Sequence, residues 1–531
     1  MVVDTPAIEL SLWGRYASGI YKQSGAEIVT YEPQTKRAFV VNAFSGQVDV
    51  LNLSRPEAPR LLFSIDVSDA GPTANSVAVK NGMVAIAVEP AAKTDPGFVA
   101  FYDADGKRQA VVQVGSLPDA VTFSPDGRYL LVANEGEPSD DYGIDPEGSV
   151  SIIDLSGGLE TLNQAHVRTA DFRAFNSQKA QLRDQGVRIF GPGASVAQDL
   201  EPEWIEVSSD SQTAYVCLQD NNAIAILDIP SATVTKILPL GYKDWSANGQ
   251  WSGRGLDASD RDAGIQIRHW PVFGMFQPDT IKLLEVGGET YLLGANEGDG
   301  RDWGGWSEEA RVAELQLDPT AFPNASDLQD PAKLGRLVVT TTLGISNDVD
   351  PSDRQVDVKA TAVYKSLYAF GGRSMAIWRV QKDRLELVFD TGSQMEETTA
   401  AAHPNYFNAD HQDQAKQLDK RSAAKGPEPE GMALGTIGDR TYAFVGLERV
   451  GGVMVYDVTV PTQTTFVQYI NTRDFAIGQD STADHTRADL GPEGLCFVAG
   501  DESPDPQGRP LLLVGNEVSG TTAIYVIEPR K

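Results

Sequence analysis

Three apolar stretches of this chain end in the same asparagine–glutamate pair: LLVANEGEPSDDY from Leu130, LGANEGDGRDW from Leu293 and LVGNEVSGTT from Leu513. A run suited to burial gains nothing from ending on a carboxylate unless that carboxylate meets a partner elsewhere. A second set of acids opens short apolar runs, at Glu27, Asp119, Glu203, Asp279, Glu430 and Glu493. Carboxylates brought together repel one another and take up protons unless a cation neutralises them. Several hard oxygen donors in one place suit Ca²⁺ or Mg²⁺. The expected ligands are Glu135, Glu203, Asp279, Glu297, Glu430, Glu448, Glu493 and Glu517, with the amides of Asn134, Asn296 and Asn516 nearby. For a single acid, capping its own turn or pairing with an arginine is the competing role. Repetition at one place in the unit is what favours a shared site.

Basic residues are few around these segments, so their placement matters. Arg268 and His269 lie in IQIRHWPVFGMFQPD, which runs directly into the segment headed by Asp279. Arg373 falls in FGGRSMAIW, Arg421 and Lys425 in RSAAKGPEPEG, and Arg449 follows Glu448. Cations set among carboxylates can hold phosphate oxygens together with metal ions, the arrangement used in phosphoryl transfer. Arg268, His269, Lys425 and Arg449 are therefore the expected catalytic side chains, with structural ion pairing as the competing role. No other catalytic signature is present: the five histidines form no His-x-x-x-His pair, and there is no Gly-x-Ser-x-Gly elbow, P-loop or Cys-x-x-Cys. NDVDPSDRQVD alternates acids like a calcium loop but lacks the glycine and final glutamate of an EF-hand, so it reads as a solvated loop.

The elements that must position these acids repeat along the chain. Strong copies of one unit start at Leu117, Leu200, Gln277, Glu428 and Gly491, with weaker ones from Ala26, Asn75 and Asp357. Each has a turn bearing an acid, a short strand, a second apolar strand and a third after a variable gap. Alternating β-branched strands with turn pairs such as Asp126-Gly127 indicate an all-β chain. Four-stranded units in radial array make a β-propeller, here of seven or eight blades, which protects its edges by closing the ring. The last unit stops at its third strand, and IELSLWGRYAS at residues 8–18 is the expected strand that completes it. Insertions are expected at 157–199, 241–276, 301–356 and 391–427, the first with a helix around Asp171–Arg183. Their aromatic residues argue for ordered lids within a single domain.

The bulk numbers fit this reading. Acidic residues outnumber basic ones by 74 to 44, and a net charge of −30 disfavours nucleic acid and anionic membranes while favouring divalent cations. No run approaches the ~18 apolar residues of a membrane helix, and MVVDTPAIEL lacks the basic and apolar regions of a signal peptide, which fits either a cytosolic protein or a mature form with an added Met. Cys217 and Cys496 sit in apolar runs and read as buried free thiols.

In order along nearly the whole chain, GAEIVTYEPQTKRAFVVNAFSGQVDVLNL, NEGEPSDDYGIDPEGSVSIIDL, LEPEWIEV, LQDNNAIAILDI, LDASDRDAGIQI, ANEGDGRD, FGGRSMAIW, KGPEPEGMALG, FVGLERVGGVMVYDV and GNEVSGTTAIYVIE resemble the choice-of-anchor I proteins. These are extracellular bacterial propellers commonly described as alkaline phosphatases and related to mesenchyme-specific cell-surface glycoproteins. RSAAKGPEPEG departs from the pattern by carrying Ala423 and Ala424 where acids are common. The resemblance implies a propeller outside the cytoplasm, secreted, periplasmic or at the cell surface. It also implies a metal-dependent phosphoesterase, with a metal-bound hydroxide as nucleophile and calcium as the expected ion beside a second divalent or trivalent metal. A phosphate ester would be the substrate and the monomer the expected state. The alternative is a non-catalytic calcium-binding scaffold, and a lactonase-type hydrolase is a third reading.

Overall fold

In the computed structural model, which describes residues 8–411, 417–475, 477 and 484–530, the repeated unit folds into antiparallel sheets of four strands. Residues 1–7 of the N-terminal stretch and 412–416 of the 391–427 insertion lie outside the described residues. Seven such sheets form, with inner strands Val29–Glu32, Thr73–Lys80, Pro118–Phe123, Ile205–Val207, Ile281–Val286, Pro429–Ile437 and Pro492–Val498. Each inner strand contacts the next, and the last contacts the first, so the ring closes around a central channel. The blade cores are the stacked apolar faces of neighbouring sheets, such as Leu131, Ile152, Val216 and Ala225 between the third and fourth.

The blade count resolves to seven because the copy beginning at Asp357 is not a blade. Its Ser374–Val380 segment is the third strand of the blade begun at Ile281, pairing with Glu289–Asn296. The chain between those two strands leaves the blade. With residues 241–276 it builds a separate five-stranded sheet from Tyr242–Asp244, Phe273–Met275, Tyr368–Ala369, Val338–Thr340 and Glu309–Arg311. That layer has its own core, including Trp245, Trp270, Leu334 and Tyr364. Closure occurs as expected: Ile8–Ala17 pairs antiparallel with Thr521–Pro529 as the fourth strand of the last blade. In the 157–199 insertion the helix is shorter than expected, Lys179–Gln185 after a 3₁₀ segment, with Phe172, Phe175 and Leu182 packed against the core.

A local device aims the acids. In the second, third, sixth and seventh blades the pairing of the first two strands slips by one residue at Asn75, Asp119, Glu430 and Glu493. Elsewhere Glu27 N–H and Ile28 C=O both bond Val41, and the pairs Glu203/Trp204 and Asp279/Thr280 treat Cys217 and Ala295 alike. Two residues thus oppose one, a β-bulge, which bends the strand and re-aims a side chain. The inner backbones crowd at this level. A Cβ on Gly431 would stand 1.6 Å from Glu493 O, and one on Gly515 would stand 2.0 Å from Glu27 O. Gly431→Ala is therefore expected to lower stability by about 1–3 kcal/mol, the usual cost of overpacking, read by thermal denaturation.

Both cysteines are free, Cys217 buried and Cys496 half-buried. Past the acids along the same inner strands, the channel contains a cavity of about 480 Å³ reaching Trp204, Lys282 and Cys496. Among the described residues, no helix is long and apolar enough to cross a membrane.

Candidate metal centre at the channel mouth

The bulges create a seven-place ring: Glu27, Asn75, Asp119, Glu203, Asp279, Glu430 and Glu493, one residue per blade. Strand register gives a second ring where the second strands end. Glu89, Glu135, Glu297, Glu448 and Glu517 occupy five of its places, Gln219 and Ala43 the other two. Sequence reading missed Glu89, because an alanine-rich strand precedes it rather than an Asn-Glu signature. It also missed Glu428, Glu201, Asp220, Glu137 and Asp299, which lie one or two residues from a ring position and were legible as neighbours of the repeated motif.

Burial, the largest cause in each, and neighbouring carboxylates push the acids of the first ring and Glu135 upward. Glu27 reaches about 8, with Glu517 and Asp119 adding to burial. Asp119 and Asp279 each reach about 7, the first raised further by Asp279 and the second by Glu297. Glu135, Glu203, Glu430 and Glu493 are raised well above the carboxylate range for the same two reasons. Side-chain oxygens of Glu203, Glu430 and Glu493 are buried without a hydrogen-bond partner. The mouth thus holds more negative charge than its own cations balance.

One sector is balanced. Lys425 Nζ donates to Glu297 at 2.7 Å and lies 3.3 Å from Glu428 and 3.7 Å from Asp299. Glu428, fully buried, also takes Arg421 at 2.6 Å and Arg449 at 2.9 Å, and these three cations outweigh burial to hold it down at about 2. Arg449 further pairs with Glu448 at 3.0 Å and donates to His411 Nε2 at 2.7 Å. That leaves His411 Nδ1–H to face Glu448 at 3.1 Å. Lys425 and Arg449, expected as phosphate-binding groups, both sit in ion pairs. Arg301, buried among Asp199, Glu201 and Asp220 at 2.7–3.0 Å, balances the neighbouring sector at the fourth blade in the same way.

The expectation for Arg268 and His269 is corrected. Both are exposed on the 241–276 insertion rather than at the channel axis. Arg268 forms a bridge with Leu256, lies 4.3 Å from the Trp270 ring and reaches Ala332 O at 3.5 Å. The reason is that the chain spends residues 273–275 in the insertion sheet before it turns into the blade. Arg373 is likewise spent, bonding Glu396 and the carbonyls of Asp257, Ser422 and Ala424.

Three groups bring ligand atoms within 4.8 Å of one another: Glu297–Glu428–Glu448, His411–Glu448–Glu517 and Glu27–Glu493–Glu517. Lys425 and Arg449 already serve the first, and Arg449 occupies a histidine nitrogen of the second. The third has no ion-pair partner among the described residues, and Ser24 Oγ lies 3.5 Å from Glu517. Its donors are all hard oxygens.

Several known proteins are similar to this chain. Residues 27–461 match the model of the choice-of-anchor I domain. A mesenchyme-specific cell surface glycoprotein of Strongylocentrotus purpuratus is 29% identical over 335 residues, 58% of this chain but only 39% of that protein. Gigasin-3a of Magallana gigas is 28% identical over 226 residues, 41% of this chain and 69% of its own length. Among solved structures, hydrazine synthase of Kuenenia stuttgartiensis overlays with a TM-score of 0.46 at 13% identity, covering 96% of this chain and 98% of that one. Streptogramin B lyase gives 0.44 at 9% identity, covering 99% and 98%. With the family model spanning most of the ring and its acid-bearing blades, the chain belongs to the choice-of-anchor I family.

Proposed function

We propose that this propeller is a cation-binding module that works outside the cytoplasm, holding a hard divalent ion, calcium first, at its channel mouth. The observation that carries the reading is Glu27–Glu493–Glu517, three carboxylates within 4.8 Å of one another that form no ion pair among the described residues. The fit is supported by the unpartnered, buried oxygen of Glu493 and by a donor set made only of oxygens. Glu203, Asp279, Glu430 and Glu135 extend the negative field and could accept a further divalent or trivalent ion. The surface glycoprotein among its relatives supports the extracellular placement. Such a module serves as a scaffold whose blades are locked by the ion.

A second reading, metal-dependent hydrolysis of phosphate esters, is favoured by Lys425 and Arg449, which pair with Glu297, Glu428 and Glu448 elsewhere at the same channel mouth. There they would orient phosphate oxygens once a substrate displaced their carboxylate partners. Assay of metal-stripped and calcium-loaded protein on p-nitrophenyl phosphate decides between the two. The scaffold reading expects a calcium-dependent rise in melting temperature and no turnover. Turnover that needs calcium and falls on Lys425→Ala would establish the second reading instead.

A further inference from the structure

The insertion layer holds a second cluster of buried acids, independent of the channel mouth. The loop Leu256–Ile267 carries Asp257, which has no exposed surface. Its carboxylate accepts only backbone N–H groups, from Ser259 at 3.3 Å and from Gln266. Asp419, 5% exposed, arrives from the 391–427 insertion and accepts Ser422 Oγ at 2.8 Å. Neither carboxylate has an ion-pair partner among the described residues. The nearby guanidinium of Arg373 is directed to Glu396 at 2.8 Å and to three backbone carbonyls.

Asn408 links the two acids. Its Nδ2 donates to Glu396 Oε1 at 2.8 Å and to Ser422 Oγ at 2.9 Å. Glu396 Oε2 in turn accepts the Asp257 N–H at 3.2 Å, while Ser422 holds Asp419. The other end of the amide, Oδ1, has no donor at all, although Asn408 is fully buried. Leaving a buried amide oxygen without a partner costs free energy. Burial, with the charges of Asp419, Glu396 and Asp262 added, pushes Asp257 to about 8, and burial, with those of Asp262, Glu396 and Asp260, pushes Asp419 to about 7. Two acceptor-only acids and an orphaned amide oxygen share one need, a positively charged acceptor of oxygen lone pairs.

The geometry points to a hard-cation site in the insertion layer, with Asp257, Asp419 and Asn408 Oδ1 as protein ligands and calcium as the class of ion. The ion would join the 241–276 insertion, through Asp257, to the 391–427 insertion, through Asn408 and Asp419. Its function would be to fix the lid layer as a unit, separately from any ion at the channel mouth. All three donors are oxygens, which favours calcium or magnesium over softer transition metals.

The test is equilibrium dialysis of the full chain against calcium chloride after chelator treatment, paired with hydrogen exchange of peptides spanning 256–267 and 405–422. The wild type is expected to bind at least one calcium more than Asp257→Asn/Asp419→Asn. Calcium should slow exchange in both peptides of the wild type and in neither peptide of that variant. Glu27→Gln/Glu493→Gln/Glu517→Gln should keep this calcium-dependent protection, so failure of the channel site and failure of this one are distinguishable. If the double variant does not fold, Asn408→Ala serves, with affinity for the same step expected to fall roughly tenfold or more. Equal calcium uptake by wild type and variant, or exchange in 256–267 that ignores calcium in the wild type, would overturn the proposal.

Discussion

Metal-free protein is expected to lose thermal stability steadily as pH rises from about 5 to about 8, and calcium to abolish that loss. The sign follows from the raised carboxyl groups. Glu27 at about 8 and Asp119 and Asp279 at about 7 hold protons in the folded ring far above their values in an unfolded chain, about 4. Their contribution to stability is fully present below the unfolded value and disappears as pH climbs through the folded one. Burial and crowding favour the protonated ring, so ionisation without a cation drives the blades apart. A bound ion replaces those protons. At a hundredfold excess over its dissociation constant, one such site contributes about 2.7 kcal/mol. Glu428, held at about 2 by Lys425, Arg421 and Arg449, acts in the opposite direction. Its contribution exists above its unfolded value and is lost only as pH falls toward 2, outside the window of the calcium effect. A melting curve that is flat across this range in chelator, or unchanged by calcium at pH 8, would contradict the reading.

The second large effect is expected at Lys425. Replacing it by methionine keeps the stem and removes the charge that Glu297, Glu428 and Asp299 share. Removing one partner of a buried ion pair leaves uncompensated charge and costs about 3 kcal/mol or more. Arg421 and Arg449 still serve Glu428, so most of the loss falls on Glu297 and Asp299. Lys425→Met should therefore be strongly destabilised in chelator and partly rescued by calcium, because a divalent ion can occupy the vacated place among the carboxylates. The variant's melting temperature with and without calcium reads this directly. Rescue larger than the calcium shift of the wild type is the predicted signature. A calcium-independent loss would assign Lys425 a packing role alone.

Much of this was legible in the sequence for a physical reason. The Pro-acid turns at Asp119, Glu203, Asp279, Glu430 and Glu493 and the strand-ending acids at Glu135, Glu297 and Glu517 recur because every blade meets the axis in the same way. Repetition therefore exposed both rings. The bulge that re-aims the first ring left no trace that single-strand alternation could reveal. Glu428 escaped because it lies in neither ring and its importance comes from three cations, Arg421 and Lys425 just before it and Arg449 in the turn after the second strand of that blade. Arg268 misled because proximity in sequence to Asp279 suggested proximity in space, whereas Phe273–Met275 is a strand of the insertion sheet. The apparent eighth unit at Asp357 misled similarly, since an insertion had carried the third strand of a blade far from its second. The Asp257–Asn408–Asp419 cluster was invisible because its members come from two insertions with no repeat to align them.

The central claim is that the unpaired triad at the channel mouth holds a cation. Calorimetric titration of metal-stripped protein with calcium at pH 8 tests it most directly, comparing the wild type with Glu27→Gln/Glu493→Gln/Glu517→Gln. These substitutions keep shape and hydrogen-bonding capacity while removing the charge. The account predicts saturable binding by the wild type and the loss of one binding step in the variant, whose metal-free form is also more stable at that pH than the metal-free wild type. Equal calcium binding by the two proteins would contradict it.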